Sequence, residues 1–129
     1  MKEYLFRGRS LITGGMVYGN LFQRNAQSFI LTEGHVLEVV PETVGQYIGV
    51  TDKNGHKIFE GDILLDKTEQ YQGTVCSADE SMEIIIELNN DRLYPSDLVP
   101  STVEVIGNKY DDPELWQTAQ NAEQAEVVI

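Results

Sequence analysis

Glu60 and Asp62 are spaced as a pair of catalytic or metal-binding carboxylates would be. They lie two residues apart in the segment Ile58–Ile63, which has an extended pattern. Alternate residues of an extended chain project to the same side, so the two carboxylates could share a proton or a divalent cation. The competing interpretation is that Glu60 is solvated while Asp62 accepts hydrogen bonds from turn amides around Gly61. The second interpretation is favoured because no further ligand is adjacent in sequence, and no metal site is predicted.

The histidines and the cysteine each have a simpler interpretation than metal binding or catalysis. His35 and His56 lie in predicted turns, without the Cys or His spacing of a zinc site. Cys76 lies beside Val75 in a predicted strand, where a small apolar role is favoured because nothing nearby indicates a lowered thiol pKa. The chain also lacks a serine nucleophile elbow, a phosphate-binding glycine loop and a dinucleotide fingerprint. We therefore predict no catalytic residue, no cofactor and no metal, and expect that the protein is not an enzyme.

Aromatic residues with basic neighbours form the candidate binding site. Stacking combined with cations is how small barrels hold single-stranded nucleic acid. The alternative is that Phe6, Tyr18 and Phe22 form the core of N-terminal hairpins, since short strands need large side chains. The candidate binding residues are Arg7, Arg9, Tyr18, Arg24, Tyr47, Lys53 and Lys57.

The elements that would hold these side chains are short strands. Runs rich in Val, Ile, Tyr and Phe alternate with Gly and Asn or Asp turns, which is typical of an all-β chain. The N-terminal segment 1–44 is predicted to be rich in β-hairpins. One hairpin turns at Thr32–His35, and Pro41 ends it because proline has no amide donor. The predicted strands are Lys2–Arg7, Met16–Phe22, Ser28–Leu31 and Val36–Val40.

Residues 45–110 are predicted to form a small barrel. The tetrad Asp52–Gly55 is a strong reverse-turn signal between two strands, near Tyr47–Val50 and Lys57–Phe59. Gly61 indicates a bulge or sharp bend where a small sheet curls on itself. Short strands at regular spacing favour a barrel. The remaining strands are predicted at Ile63–Leu65, Gly73–Cys76, Met82–Leu88 and Thr102–Gly107, with a turn at Asn89–Asp91.

The single predicted helix is terminal. Asp111 or Asp112 can cap it, and Pro113 suits its first position, so these carboxylates are assigned to capping and not to a metal. Residues 118–126 are rich in Ala, Gln and Glu with little to bury. We expect residues 111–129 to form a short helix followed by a flexible tail.

The charge is acidic and unevenly distributed. The 129 residues include 9 basic and 21 acidic side chains, a net charge of −12. Residues 1–65 have 6 basic and 7 acidic side chains, whereas residues 66–129 have 3 and 14. Because non-specific nucleic-acid affinity comes mainly from Lys and Arg, duplex binding through the second half is disfavoured. The single Cys76 excludes an internal disulfide, and no apolar run is long enough to span a membrane, so we expect a cytoplasmic protein.

Six blocks of sequence carry a family resemblance. They are Leu5–Gly8, Met16–Gly19, Pro41–Tyr47, Asp52–Gly55, Ile58–Ile63 and Val105–Tyr110. In content and order these blocks resemble YopX proteins, which bacteriophages and prophages encode, over residues 3–116. The resemblance implies a C-terminal barrel of the SH3 type. It implies no reaction, cofactor or catalytic residue.

We therefore predict a mainly β protein with an N-terminal hairpin-rich segment, a small SH3-like barrel and a short C-terminal helix. We expect a phage-type accessory protein of unknown function that acts by binding and not by catalysis. Its acidic surface would engage an unknown protein partner from host or phage. The alternative is single-stranded nucleic-acid binding through the N-terminal aromatic and basic residues, although the net charge disfavours nucleic acid. Exposed hairpin edges are also compatible with self-association.

Overall fold

The computed structural model describes residues 5–78, 81–88 and 91–120. The chain divides into two compact units, residues 1–47 and residues 48–129. The prediction of a mainly β protein is confirmed, because antiparallel strands dominate both units and one short helix follows them. The division into domains 1–44, 45–110 and 111–129 stays a prediction. The predicted turn at Asn89–Asn90 and the predicted tail beyond Gln120 lie outside the described residues.

The first unit is built from antiparallel hairpins. Its strands are β1 (Phe6–Arg9), β2 (Met16–Arg24), β3 (Gln27–Thr32) and β4 (His35–Val39), followed by a 3-10 helix at Pro41–Thr43 and the start of β5 (Gly45–Thr51). The predicted turn between β3 and β4 is confirmed, with φ of 47° at Glu33 and 82° at Gly34. Asn25 and Ala26 form the other tight turn, with φ of 52° and 68°. Two successive positive φ values define the turn type whose twist matches a two-residue hairpin.

The strands of the first unit curl so that β4 meets the end of β1. Ser10 forms an isolated bridge with Val39, and the amide of Val40 donates to the carbonyl of Arg9 over 2.9 Å. Ile30 and Val39 are fully buried on the inner side. Gly8 permits this curvature, because a Cβ there would lie 2.9 Å from the Val39 side chain.

The second unit contains a five-stranded sheet. Strand β6 (Lys57–Phe59) neighbours β5, and the sheet order is β10-β9-β8-β7-β11. The other strands are β7 (Asp62–Asp66), β8 (Tyr71–Ser77), β9 (Ile84–Leu88), β10 (Asp91–Leu93) and β11 (Glu104–Asn108), with a 3-10 helix at Pro95–Asp97. The predicted bend at Gly61 is present between β6 and β7, with φ of 100°. Among the residues placed by the structure, this sheet ends at β10 and β11 and does not close into a full barrel.

Buried side chains lie on both faces of the five-stranded sheet. One face packs in the main core, whose buried members are Ile58, Leu64, Val75, Ile86, Leu98 and Val103. The terminal helix α1 (Pro113–Gln120) packs against β7, β8, β9 and β11. Ile63 and Ile85 are also buried, at 0% and 2% exposure, as is Ala119 of the helix. The predicted short helix is confirmed, and within the described segments no helix is long and apolar enough to cross a bilayer.

Candidate binding surface

Asp52 is buried in the second unit and its carboxylate accepts three backbone hydrogen bonds. Oδ1 accepts from the amides of Asn54 and His56, each at 2.9 Å, and Oδ2 accepts from the amide of Val105 at 2.9 Å. Burial raises the pKa of Asp52, but these three hydrogen bonds outweigh it, so that the pKa lies below its ordinary value overall. The carboxylate therefore ties the turn 52–56 to strand β11.

Asp66 plays a similar role at the C-terminal end of β7. It is fully buried, and its Oδ1 accepts from the amides of Thr68 and Glu69 at 3.0 and 2.9 Å. Its Oδ2 accepts from the Thr102 hydroxyl at 2.7 Å. These bonds hold the turn between β7 and β8 and connect it to the segment that leads into β11.

Both carboxylates of the suspected pair accept hydrogen bonds from the protein itself. Asp62 is 2% exposed, and its Oδ2 accepts from the amide of Phe59 at 2.8 Å across the bend at Gly61. Glu60 is half-buried and accepts from the Ser77 hydroxyl at 2.8 Å. In the described parts of the chain, no three His, Cys, Asp or Glu side chains converge as metal ligands would. Asp62 thus accepts a hydrogen bond from an amide near Gly61, as the second of the two interpretations of the sequence predicts.

Seven acidic side chains of the second unit are exposed among the residues that the structure describes. Residues 1–47 carry four basic and four acidic side chains, whereas residues 48–129 carry five basic and seventeen acidic side chains. The whole net charge of −12 therefore belongs to the second unit. The acidic side chains that the structure shows exposed in this unit are Glu69, Glu83, Glu87, Asp91, Asp97, Asp111 and Glu114.

Cys76 lies half-buried on β8 between acidic neighbours. Its Sγ is 3.7 Å from Oε1 of Glu87, which faces it from β9. Burial raises the pKa of the Cys76 thiol to about 11, and the charges of Glu87 and Glu60 add to the effect. A thiol with this pKa is protonated at neutral pH and is a poor nucleophile. This environment suits the small apolar role assigned from the sequence.

The arginines and the tyrosine of the predicted binding site lie in the first unit. Arg7 and Tyr18 are directly opposite each other in the β1–β2 pairing, but Arg7 is only 5% exposed. Arg9 donates from Nη1 to the carbonyl of Gly14 over 2.7 Å. Arg24 is exposed at the end of β2. The guanidinium of Arg7 could therefore reach a nucleic acid only after a change in the structure.

The other three predicted binding residues are spread along β5, β6 and the turn between them. Tyr47 is half-buried, and its amide donates to the carbonyl of Leu5 over 2.7 Å. Lys53 is exposed and forms an ion pair with Glu104, with 3.5 Å between Nζ and Oε1. Lys57 is half-buried on β6. In the second unit these lysines thus lie among a large excess of carboxylates.

The interpretation that Tyr18 and Phe22 are core residues is wrong. They are 38% and 43% exposed, because β2 directs them to the outer side of the hairpins. Phe29, which the sequence did not single out as a binding residue, packs beside Phe22 with ring centroids 5.8 Å apart. Polar and apolar residues do not alternate along β2 and β3, so the sequence pattern carried no clear signal of this exposure. Glycines at positions 8 and 19 take the inward places that large side chains would otherwise fill.

Comparisons with known proteins bear on the fold and on the family. The model of the family described as YopX protein matches residues 6–117. The crystal structure of protein EF1440 from Enterococcus faecalis is 21% identical with a TM-score of 0.57, covering 90% of this chain and 99% of that one. The crystal structure of yopX from Bacillus subtilis is 16% identical with a TM-score of 0.51, covering 87% and 95%. These two likenesses show a shared fold, and no curated protein matches the chain.

Proposed function

The chain belongs to the YopX family, and from that premise we propose that it is a phage- or prophage-encoded accessory protein that acts by binding. The acidic second unit engages a basic surface on a protein partner. The observation that carries the proposal is the charge distribution, since residues 48–129 hold the entire net charge of −12 while residues 1–47 are neutral.

The carboxylates fall into a buried group and an exposed group, and this supports a binding surface over a reactive centre. Asp52, Asp62 and Asp66 are each at most 4% exposed and are hydrogen-bonded to backbone amides. Carboxylates held in this way stabilise turns and are withdrawn from solvent. The exposed ones face solvent, where a partner can reach them, and their shared negative charge raises the rate at which a basic surface approaches.

Capture from an extract of the bacterium that carries the gene tests the proposal. The tagged full-length chain is compared with the double variant Glu83→Gln/Glu87→Gln, which removes two exposed carboxylates at β9. We expect a captured partner at low salt that is lost at about 0.5 M salt, where charges are screened within a few ångströms. The double variant should capture several-fold less of the same partner.

A matched control places the same charge change in the neutral unit. The double variant Glu33→Gln/Glu42→Gln also removes two carboxylates and should capture the partner as well as the parent chain. Retention of the partner unchanged at high salt would contradict the proposal, as would equal losses for both double variants. Binding of a labelled single-stranded oligonucleotide at low salt, weakened by Arg24→Ala, would instead assign the function to the first unit.

A further inference from the structure

The outer side of the first unit carries an exposed apolar face on three neighbouring strands. Phe22 and Phe29 are directly opposite each other in the β2–β3 pairing, and Leu31 and Val36 are opposite each other in the β3–β4 pairing. Phe22 is 43% exposed, Leu31 39% and Val36 61%. The exposed apolar side chains of this outer face are Tyr18, Phe22, Leu31 and Val36, with Phe29 half-buried beside Phe22 and the polar Asn20 opposite Leu31. Contiguous apolar surface of this kind on a sheet usually contacts another molecule.

Two opposite charges flank the aromatic pair on the same face. Arg24 follows Phe22 by two residues on β2 and is exposed. Glu38 lies opposite Phe29 on β4, and its Oε2 accepts a hydrogen bond of 3.0 Å from Nε2 of Gln27. Because residues two apart in a strand share a side, both charges belong to the outer face. The face therefore presents a cation at one side of the Phe22–Phe29 pair and a carboxylate at the other.

We propose that this outer face binds a second copy of the same chain through a two-fold axis. A two-fold interface brings the same patch of both copies together, so a contact from residue i to residue j occurs twice. An axis that passes beside Phe29 brings Arg24 of each copy to Glu38 of the other, with the aromatic pairs packed between them. The patch is then complementary to itself in both charge and apolar surface.

The charge of the rest of the chain favours the same contact. Two copies that met through residues 48–129 would bring together two surfaces that each carry a net charge of −12. Residues 1–47 have equal numbers of basic and acidic side chains, so this unit adds no net repulsion to a contact between copies. The neutral unit, through its outer face, is where two copies can approach.

Charge reversal at Arg24 and Glu38 tests this pairing on the full-length chain. The mass of the parent chain is followed by sedimentation equilibrium over a range of concentrations, and a dimer is expected. Arg24→Glu and Glu38→Arg should each raise the dimer dissociation constant roughly tenfold, since each creates two like-charge contacts per dimer. An equimolar mixture of the two variants should recover the parent affinity as a heterodimer, which native mass spectrometry identifies. Misfolded variants could not produce that recovery.

Matched controls reverse the same charges in the second unit. Lys67→Glu and Glu69→Arg change the net charge by the same amounts and should leave the dimer unchanged. Phe22→Gln, at an exposed position, should weaken the dimer while the far-ultraviolet circular dichroism stays that of the parent. A parent chain that is monomeric at all concentrations would overturn the proposal. A dimer that persists in both reversal variants, or a mixture that fails to recover, would overturn it equally.

Discussion

At the scale of single residues, the carboxylate of Asp52 connects parts of the second unit that are distant in sequence. It caps the turn at Asn54 and His56 and also accepts the amide of Val105. Removing it leaves three amides without their acceptor, two of them in the turn 52–56. That turn then depends on two backbone hydrogen bonds, from the amide of Gly55 to the carbonyl of Asp52 and from the amide of Asp52 to the carbonyl of His56. A buried or half-buried amide that loses its acceptor typically costs about 1–3 kcal/mol.

Asp52→Ala is accordingly expected to lower the free energy of unfolding by about 2–4 kcal/mol. Urea unfolding followed by circular dichroism measures the change. Glu83→Ala is the control, because it removes an exposed carboxylate and alters the net charge equally; it should change stability by less than about 0.5 kcal/mol. Equal effects from the two substitutions would show that Asp52 has no special structural role.

The lowered pKa of Asp52 also predicts a dependence of stability on pH. A carboxyl group whose folded-state pKa is depressed contributes its stabilisation at pH values above its unfolded pKa, near the ordinary value of 3.8. That contribution is lost as pH falls from there through the folded-state pKa. As the pH falls from about 5 through the folded-state pKa, the midpoint of urea unfolding should drop more for the parent chain than for Asp52→Asn. Parallel profiles for the two proteins would contradict the assignment.

Cys76 is expected to react slowly with thiol reagents. With a pKa raised to about 11 by burial and by Glu87, the thiol forms roughly a hundredfold less thiolate at pH 8 than a free cysteine does. Alkylation by iodoacetamide, followed by mass spectrometry, should therefore be roughly tenfold slower than for a cysteine-containing peptide, because the more basic thiolate is also more nucleophilic and offsets part of the deficit. Glu87→Gln should accelerate it, because one of the raising charges is removed. A rate equal to that of the peptide would count against the described environment.

At the scale of elements, the docking of α1 depends on the absence of a side chain at Gly107. A Cβ at that position would lie 2.6 Å from Oδ2 of Asp112 and 3.3 Å from Cδ2 of Leu115. The Asp112 carboxylate cannot move freely, since its Oδ2 accepts the amide of Asn108 over 3.1 Å. The helix can therefore approach β11 closely only where the strand has glycine.

Gly107→Ala should destabilise the second unit by about 1–3 kcal/mol, because the added methyl group must displace the start of α1. The specific readout is a change in the fluorescence of Trp116, which lies half-buried on this helix. Nζ of Lys109 is 5.4 Å from its ring, so a displaced helix alters the surroundings of the indole. Gly15→Ala is the matched control, as the nearest atom to an added Cβ there is 3.6 Å away. An unchanged Trp116 signal in Gly107→Ala would contradict the role of Gly107.

At the scale of the whole molecule, the charge imbalance predicts an effect of salt on stability. The second unit has seventeen acidic and five basic side chains, so its compact state brings like charges together. Screening at about 0.5 M potassium chloride should raise the midpoint of urea unfolding relative to low salt. A fall in the midpoint would show that attractive ion pairs, such as Lys53 with Glu104, outweigh the repulsion.

Much of the local structure could be predicted because it depends on residues close in sequence. The turn at Asp52–Gly55, the hairpin turn at Glu33–Gly34 and the helix beginning at Pro113 are each specified by side chains within a few positions. Runs rich in Val, Ile, Tyr and Phe between turn residues likewise indicated the strands. The mainly β class follows from these local signals. The uneven distribution of charge is counted directly from the sequence.

What the sequence alone determined is therefore the class of elements, their order and the acidic character of the second half. Tertiary structure decided which side chains face solvent and which carboxylates are used internally. Asp52 meets the amide of Val105 across 53 positions, and Asp66 meets the Thr102 hydroxyl across 36 positions. Phe22 is exposed because Gly8 and Gly19 bring strands together on the inner side and leave the aromatic pair outside. The physical reason is that burial and buried hydrogen bonds depend on contacts between distant segments, which the spacing of neighbouring residues does not encode.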